Sequence, residues 1–293
     1  VMSTLLWTLA FLTAVSLLIY QLWGRAIVLM RLRRDDGRNY DFKTFPKRLM
    51  TTVCYAFGQK KFYFGDQPAG IMHIVIFWGF CVLLFQIVTM FGRGWNSGFY
   101  ICPNCLRNLY ALSKDFVQAA VLVAVMIALF RWVLTKPTRL YGFLPAEERI
   151  HRHSHWEAVL ILIFISAIMI SGFFYDAGRI ILMATDPEVV AESRWQPLSF
   201  ALSKLFIDNP NFTEPITQIA WWVHNLVILV FINLLPRSKH FHILTAILNV
   251  FLGKVEPKLA KVRGLAQTAD MGMEAGENLA EVQFVTTGNV PVA

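Results

Sequence analysis

The sequence predicts an all-α integral membrane protein with about five transmembrane helices. Three observations carry that expectation. Apolar residues make up 56% of the 293, including 24 Phe and 9 Trp, while charged residues make up only 16%, fewer than a soluble domain carries. Five stretches approach the roughly 20 apolar residues needed to cross a bilayer. Basic residues are concentrated in alternate connections between those stretches. The net charge of +8 therefore reads as a membrane-orientation signal. A nucleic-acid binder would carry its basic residues on a folded surface. No internal repeat is evident.

The first stretch, 3–24, has no short basic region followed by a small-residue cleavage site, so it is expected as a retained span. The connection 25–61 holds ten Lys/Arg against three Asp, which places it on the cytoplasmic side and the N-terminus outside. The second span is expected at 71–91 and the third at 116–134. The next connection, with Arg131, Lys136, Arg139, Arg149 and Arg152, is again basic and inside. The fourth span, 156–175, leads to a connection (176–215) with Asp176, Asp186, Glu188, Glu192, Asp208 and Glu214 against three basic residues. That connection is expected outside. The fifth span, 216–235, is followed by Arg237, Lys239, Lys254, Lys258, Lys261 and Arg263. The bundle is thus N-out, C-in, with a transmembrane domain over 1–252 and a cytoplasmic tail over 253–293. The tail from Gly264 onward is weakly patterned, as in a mobile segment or one that wraps a partner. Within 176–215, Trp195, Leu198, Leu202, Leu205 and Phe206 recur at helical spacing, and Pro197 suits a first helical turn. This is either a short helix on the outer membrane surface or an ordinary packed loop helix.

All seven histidines lie in or beside apolar stretches. An imidazole in lipid is costly and normally has a task there. His224 and His242 are 18 residues apart, about 27 Å if one helix carries both. With His73 on a neighbouring helix, they form the kind of set that axial ligation of haem b requires. By depth, His73 and His242 are the natural pair around one inner haem. His224, next to the outer aromatic belt of Trp221 and Trp222, lies in the outer half. His151, His153 and His155 begin the fourth span, as further ligands (His155) or as a solvated interfacial cluster. His240 is a further ligand, or faces a phosphate, a propionate or a partner.

His224, Pro236, Ser238, His242 and Ile243 form the pattern H-x11-P-x-S-x3-H-I. It resembles the last helix of the gamma subunit of respiratory nitrate reductase, a five-helix di-haem cytochrome b. The stretches Gly70–Phe80 (GIMHIVIFWGF) and Pro236–Val250 (PRSKHFHILTAILNV) resemble still more closely the membrane domain of heterodisulfide-reductase-like, cysteine-rich iron–sulfur oxidoreductases. The resemblance covers about residues 40–255. It implies a b-type cytochrome of the cytoplasmic (inner) membrane that exchanges electrons between menaquinone and a cytoplasmic iron–sulfur subunit. In that scheme His224 and His242 are the ligands of the last helix and His73 is the inner ligand of the second. A fourth ligand would stand ten residues after His73, where this chain has Leu83. An outer haem would then pair His224 with Met90, with a neighbouring subunit or with an unidentified residue. An alternative pairs His73 with His224 and His155 with His242. No Cys follows Cys105, so iron–sulfur clusters are expected on a separate polypeptide. An outer-side cytochrome c or other redox subunit is a further candidate partner.

The menaquinone site is expected in the outer half, where Trp195, Leu202, Trp221, Trp222 and His224 supply an apolar groove with a polar group. Cys102-Pro-Asn-Cys105 is an outer CxxC without the following His of a c-type haem site, and two Cys alone do not complete a zinc site. A structural disulfide or a free pair is expected. Cys54 and Cys81 read as small apolar residues. The competing functions are a quinone-linked thiol oxidase working through the CxxC, which would need a second outer Cys pair, and a non-redox membrane anchor or transporter.

Overall fold

A computed structural model describes residues 2–31, 42–63, 67–135, 147–207 and 210–253. The expected tail beyond Gly253 lies outside the described residues. Among the described residues all regular structure is helical. The α-helices are α1 (Met2–Arg31), α2 (Phe45–Thr52), α3 (Gln67–Arg93), α4 (Arg107–Phe130), α5 (Glu147–Leu182), α6 (Pro187–Ser193), α7 (Pro197–Ile207), α8 (Pro210–Leu234) and α9 (His242–Phe251). Five of them are long and apolar enough to cross a membrane, over Ser3–Val28, Gln67–Arg93, Arg107–Val133, Trp156–Leu182 and Asn211–Arg237. The five expected spans fall on these helices. The largest difference is at α4, which begins at Arg107 and not at 116. Hydropathy rejects Lys114 and Asp115, but the fold buries both and supplies each with a partner.

Side chains of α3, α4, α5 and α8 build the central core, with Leu83, Val121, Val125, Ile168, Met169 and Ile228 in mutual contact. Close approach is made possible by small residues, as is usual where helices pack without a hydrophobic driving force between them. A Cβ on Gly79 would overlap Val121 of α4, and one on Gly178 would overlap the Thr217 hydroxyl of α8. α1 stands at the edge of this bundle, and Trp7 is its one buried residue among the described side chains. The Trp7 ring packs against Phe91, Trp95 and Trp221 at 5.5, 5.7 and 5.0 Å. Farther along α1, Gln21 Nε2 donates to Asn233 Oδ1 at 3.2 Å, and Asn233 Nδ2 donates to the Ala14 carbonyl at 3.1 Å.

His224 and His242 do not share a helix. α8 stops at Leu234 because Pro236 has no N–H to continue the ladder. Ser238 is extended, and its hydroxyl accepts from the His240 N–H at 3.0 Å to start the next turn. α9 then packs on α2. There the Arg48 guanidinium donates to the carbonyls of Phe251 and Gly253 at 3.0 and 2.7 Å, closing the C-terminus of α9.

α7 is also arranged differently from its sequence reading. Ser199, Ser203 and Phe206 are buried, while Leu198, Phe200, Leu205 and Ile207 are exposed. The serine face packs on the bundle and the apolar face looks outward, the order that suits a lipid surrounding. Asp115 holds the start of α7 in place, accepting from Leu198 N at 2.6 Å, Ser199 N at 3.2 Å and Ser199 Oγ at 2.6 Å.

Gly178→Val would drive a branched side chain into Thr217 and force α5 from α8. A loss of about 1–3 kcal/mol is expected, as for an overpacked core. It is read as a lower thermal midpoint of the detergent-solubilised protein. A midpoint equal to the wild type would show that this contact adjusts freely.

Candidate functional site

His224 lies on α8, 3% exposed. Its Nδ1 is 3.0 Å from the Ile168 carbonyl and 3.4 Å from Ser171 Oγ, both on α5. A carbonyl only accepts, so Nδ1 carries the hydrogen and Nε2 keeps its lone pair. That Nε2 is buried without a hydrogen-bond partner. An unpaired buried acceptor costs about 1–3 kcal/mol. A fixed tautomer with a free, oriented Nε2 is the state in which imidazole ligates a metal, the second nitrogen being held by a carbonyl. Two further polar atoms are orphaned, Asn225 Oδ1 next to His224 on α8 and Gln86 Nε2 on α3, and both are buried.

A second group of histidines gathers at the opposite end of the bundle. His73 is in the second turn of α3, stacked on Phe62 at 4.1 Å and 11°. Gly70 permits this, since a Cβ there would meet the Phe62 carbonyl. His73 Nδ1 is buried without a hydrogen-bond partner. His242, opening α9, lies within electrostatic range of the His73 imidazole. The His240 ring is 6.0 Å from that of His242. The fold thus brings His73, His242 and His240 together and keeps His224 apart. The break at Pro236 is what turns α9 back over α2. The side chains of His151, His153 and His155 lie outside the described residues.

Leu83 sits in the aliphatic core beside Ile168 and Ile228. Met90 is fully buried against Tyr175, Ala220 and Trp221, one turn before His224. Trp221 Nε1 donates to the Met90 carbonyl at 3.2 Å. Trp221 and Trp222 are turned toward Trp7, at 5.0 and 6.3 Å. Trp195 is exposed and Leu202 half-buried, on the α7 side of the bundle. The described contacts therefore do not bring these quinone candidates to one surface.

The sequence reading missed a chain of buried charges between His224 and the α6–α7 end. Lys114 Nζ lies 2.7 Å from Asp176 Oδ2, the side chains 2% and 3% exposed. Arg179 pairs with buried Glu192 at 3.3 Å, and Gln196 Nε2 donates to the same carboxylate at 2.8 Å. Arg93 is buried beneath the rings of Tyr175 and Tyr100, and Arg107 pairs with Glu188. Lys114 and Asp115 inside an otherwise apolar stretch were the available signal, since intramembrane charges mark function by default. All four cysteines are free thiols, so Cys102 and Cys105 are a free pair here. Among the described residues no group of three or more His, Cys, Asp or Glu converges on a metal position. Ligation of haem iron by two imidazoles needs no such group.

The chain is similar to the probable iron–sulfur-binding oxidoreductase FadF of Bacillus subtilis (strain 168), 28% identical over 257 residues, covering 85% of this chain and 33% of that protein. It is also similar to the EtfAB:quinone oxidoreductase of Syntrophomonas wolfei subsp. wolfei (strain DSM 2245B / Goettingen), 24% identical over 272 residues, covering 89% of this chain and 35% of that protein. The chain spans about a third of the length of these relatives. Neither relative is a nitrate reductase gamma subunit. No family model and no solved structure matches.

Burial and the neighbouring Cys105 push the Cys102 thiol above its ordinary range, with Arg107 opposing. A raised pKa means less thiolate at neutral pH, and the thiolate is the nucleophile. Cys102 should therefore react with a maleimide more slowly than a free cysteine peptide at pH 7 and speed up steeply as pH rises past 9. Equal rates at pH 7, measured by mass spectrometry, would contradict this.

Proposed function

We propose that this chain is the membrane electron-transfer part of a quinone-linked oxidoreductase: it binds haem b and carries electrons between menaquinone and an iron–sulfur unit on the cytoplasmic side. The observation that carries the reading is His224, a buried imidazole whose tautomer is fixed by Ile168 and whose Nε2 has no partner. The juxtaposition of His73 and His242 supports a second ligand set at the other end. When bound, haem b supplies a one-electron carrier within the apolar bundle. His73 and His242 would hold one haem. His224 would hold another, its partner coming from outside the described residues.

The protein's own side chains set the terms of binding. The Ile168 carbonyl holds the Nδ1 hydrogen of His224, so that Nε2 remains a lone-pair donor. Phe62 fixes the ring plane of His73. The apolar core around Leu83, Val125 and Ile228 excludes water between the two levels. With the N-terminus outside, α2 and α9 face the cytoplasm and the basic connections lie there, as an inner-membrane orientation requires. That face would dock the iron–sulfur unit, with charge setting encounter rate and orientation more than affinity. The names of the two relatives support the iron–sulfur and quinone assignments. The cluster-bearing part lies outside these 293 residues, joined to the chain or separate, since the four cysteines present offer no cluster motif.

A reduced-minus-oxidised visible spectrum of the purified protein should show haem b bands. His73→Ala or His242→Ala should each remove one low-spin haem while the protein still inserts. His224→Ala should remove a haem without disturbing the first. Absence of any haem band overturns the reading. Full haem content in both the His73 and His242 variants overturns the pairing.

A further inference from the structure

An ion pair buried as deeply as Lys114–Asp176 is a poor way to hold two helices. Apolar residues of similar size usually do so at least as well, because desolvating two charges offsets their attraction. In a span such a pair is a functional-site signal. Its surroundings indicate what it serves. Both residues lie within electrostatic range of His224. Asp176 is five residues beyond Ser171, the α5 side chain nearest His224 Nδ1, which is about 7.5 Å along the helix axis.

Gln86 and Asn225 lie at the same level. Met90 packs on Ala220 and Trp221. One turn from Met90 along α3 is Gln86, and one turn from Ala220 and Trp221 along antiparallel α8 are His224 and Asn225. Asn225 Nδ2 is committed to the Trp221 carbonyl at 2.8 Å, which identifies Oδ1 as the unused atom. The orphans are then a donor, Gln86 Nε2, and an acceptor, Asn225 Oδ1. A quinone carbonyl accepts a hydrogen bond, and the hydroxyl of the corresponding quinol donates one. Gln86 and Asn225 match the two redox states of one head group. Tyr110, which donates to the Val82 carbonyl at 3.3 Å, joins this level to Lys114, one turn along α4.

Beyond Asp176 the polar groups continue to the α6–α7 end. Arg93 is within range of Asp176 and Glu192. Glu192 is held by Arg179 and Gln196. Tyr100 lies over Arg107 at 4.5 Å, and Arg107 pairs with exposed Glu188. Tyr110, His224 and Arg93 are the other titratable groups within electrostatic range of Asp176, and Asp115 is committed to α7.

We propose that Gln86 and Asn225 hold a quinone head group between α3 and α8, and that the Lys114–Asp176 pair exchanges its protons with the α6–α7 end through Glu192. This rests on the electron-transfer reading and names its quinone site, in place of Trp195 and Leu202. Quinone, two electrons and two protons give quinol. Haem b, when bound, would supply the two electrons, and the protein's own groups handle the protons. For each oxygen, an N–H bond of the Lys114 ammonium breaks and an O–H bond forms. The uncompensated Asp176 carboxylate then draws the replacement proton inward, and Lys114 is recharged before the second transfer. Quinol oxidation runs the same steps in reverse.

The test uses the full chain in lipid nanodiscs with menadione as the probe. Gln86→Leu should weaken menadione binding about tenfold, the loss of one hydrogen bond. Lys114→Met/Asp176→Leu should retain binding and the visible spectrum. It should slow menadione reduction roughly a hundredfold and flatten its pH profile, as when a general acid is removed. Should that double variant not accumulate, Glu192→Gln replaces it, with the same slowing expected and the haem spectrum unchanged. Unaltered binding in Gln86→Leu overturns the head-group site. Wild-type rates and pH profile in the charge variants overturn the proton role. A missing haem band alongside Gln86-dependent menadione binding overturns the electron-transfer reading and leaves the head-group site standing.

Discussion

A polar atom in an apolar surrounding has no water to fall back on, and that constraint governs most of this structure. Each charged residue within the bundle is given a partner. Asp115 closes the N-terminus of α7, Lys114 and Asp176 face one another, and Glu192 is held from two sides. Against that background several buried atoms among the described residues lack a hydrogen-bond partner, including Trp7 Nε1, Gln21 Oε1, Gln59 Oε1 and the Nε atoms of Arg107 and Arg179. His224 Nε2, Gln86 Nε2 and Asn225 Oδ1 are buried at one level, and His73 Nδ1 at another.

The same constraint explains the inverted amphipathicity of α7. In water, Leu198, Phe200 and Leu205 would have turned inward and the serines outward. Here the serines are buried, Ser199 on Asp115 of α4, and the apolar side chains look out. Small residues permit close backbone approach, and their hydroxyls return to backbone carbonyls, as Ser203 Oγ does to Phe200 at 2.7 Å. Gly79 and Gly178 act alike in the long helices. The scaffold is therefore tight through α3, α4, α5 and α8, while α1 leans on α8 through Trp7 and two amide contacts.

Much of the architecture was legible in the residues themselves. Span length and hydropathy depend only on local composition, so five helices could be read directly, with errors confined to their ends. The nomination of His73, His224 and His242 rested on the same local logic. The proposed pairing of His73 with His242 rests on depth, the coordinate that helices crossing a membrane share. What failed was the single-helix distance between His224 and His242, since Pro236 and Ser238 break the ladder and fold α9 over α2. Trp195 and Leu202 are apolar residues, and apolarity identifies a lipid-facing surface as readily as a pocket.

The amino-acid sequence by itself determined the five apolar spans and which imidazoles stand in or beside them, because those properties follow from runs of neighbouring residues. Only the tertiary structure decided which polar atoms find partners. Lys114 meets Asp176 across 62 positions, and His224 meets the Ile168 carbonyl across 56. Whether a buried nitrogen is satisfied or bare depends on what a distant helix presents to it, and no local pattern carries that information.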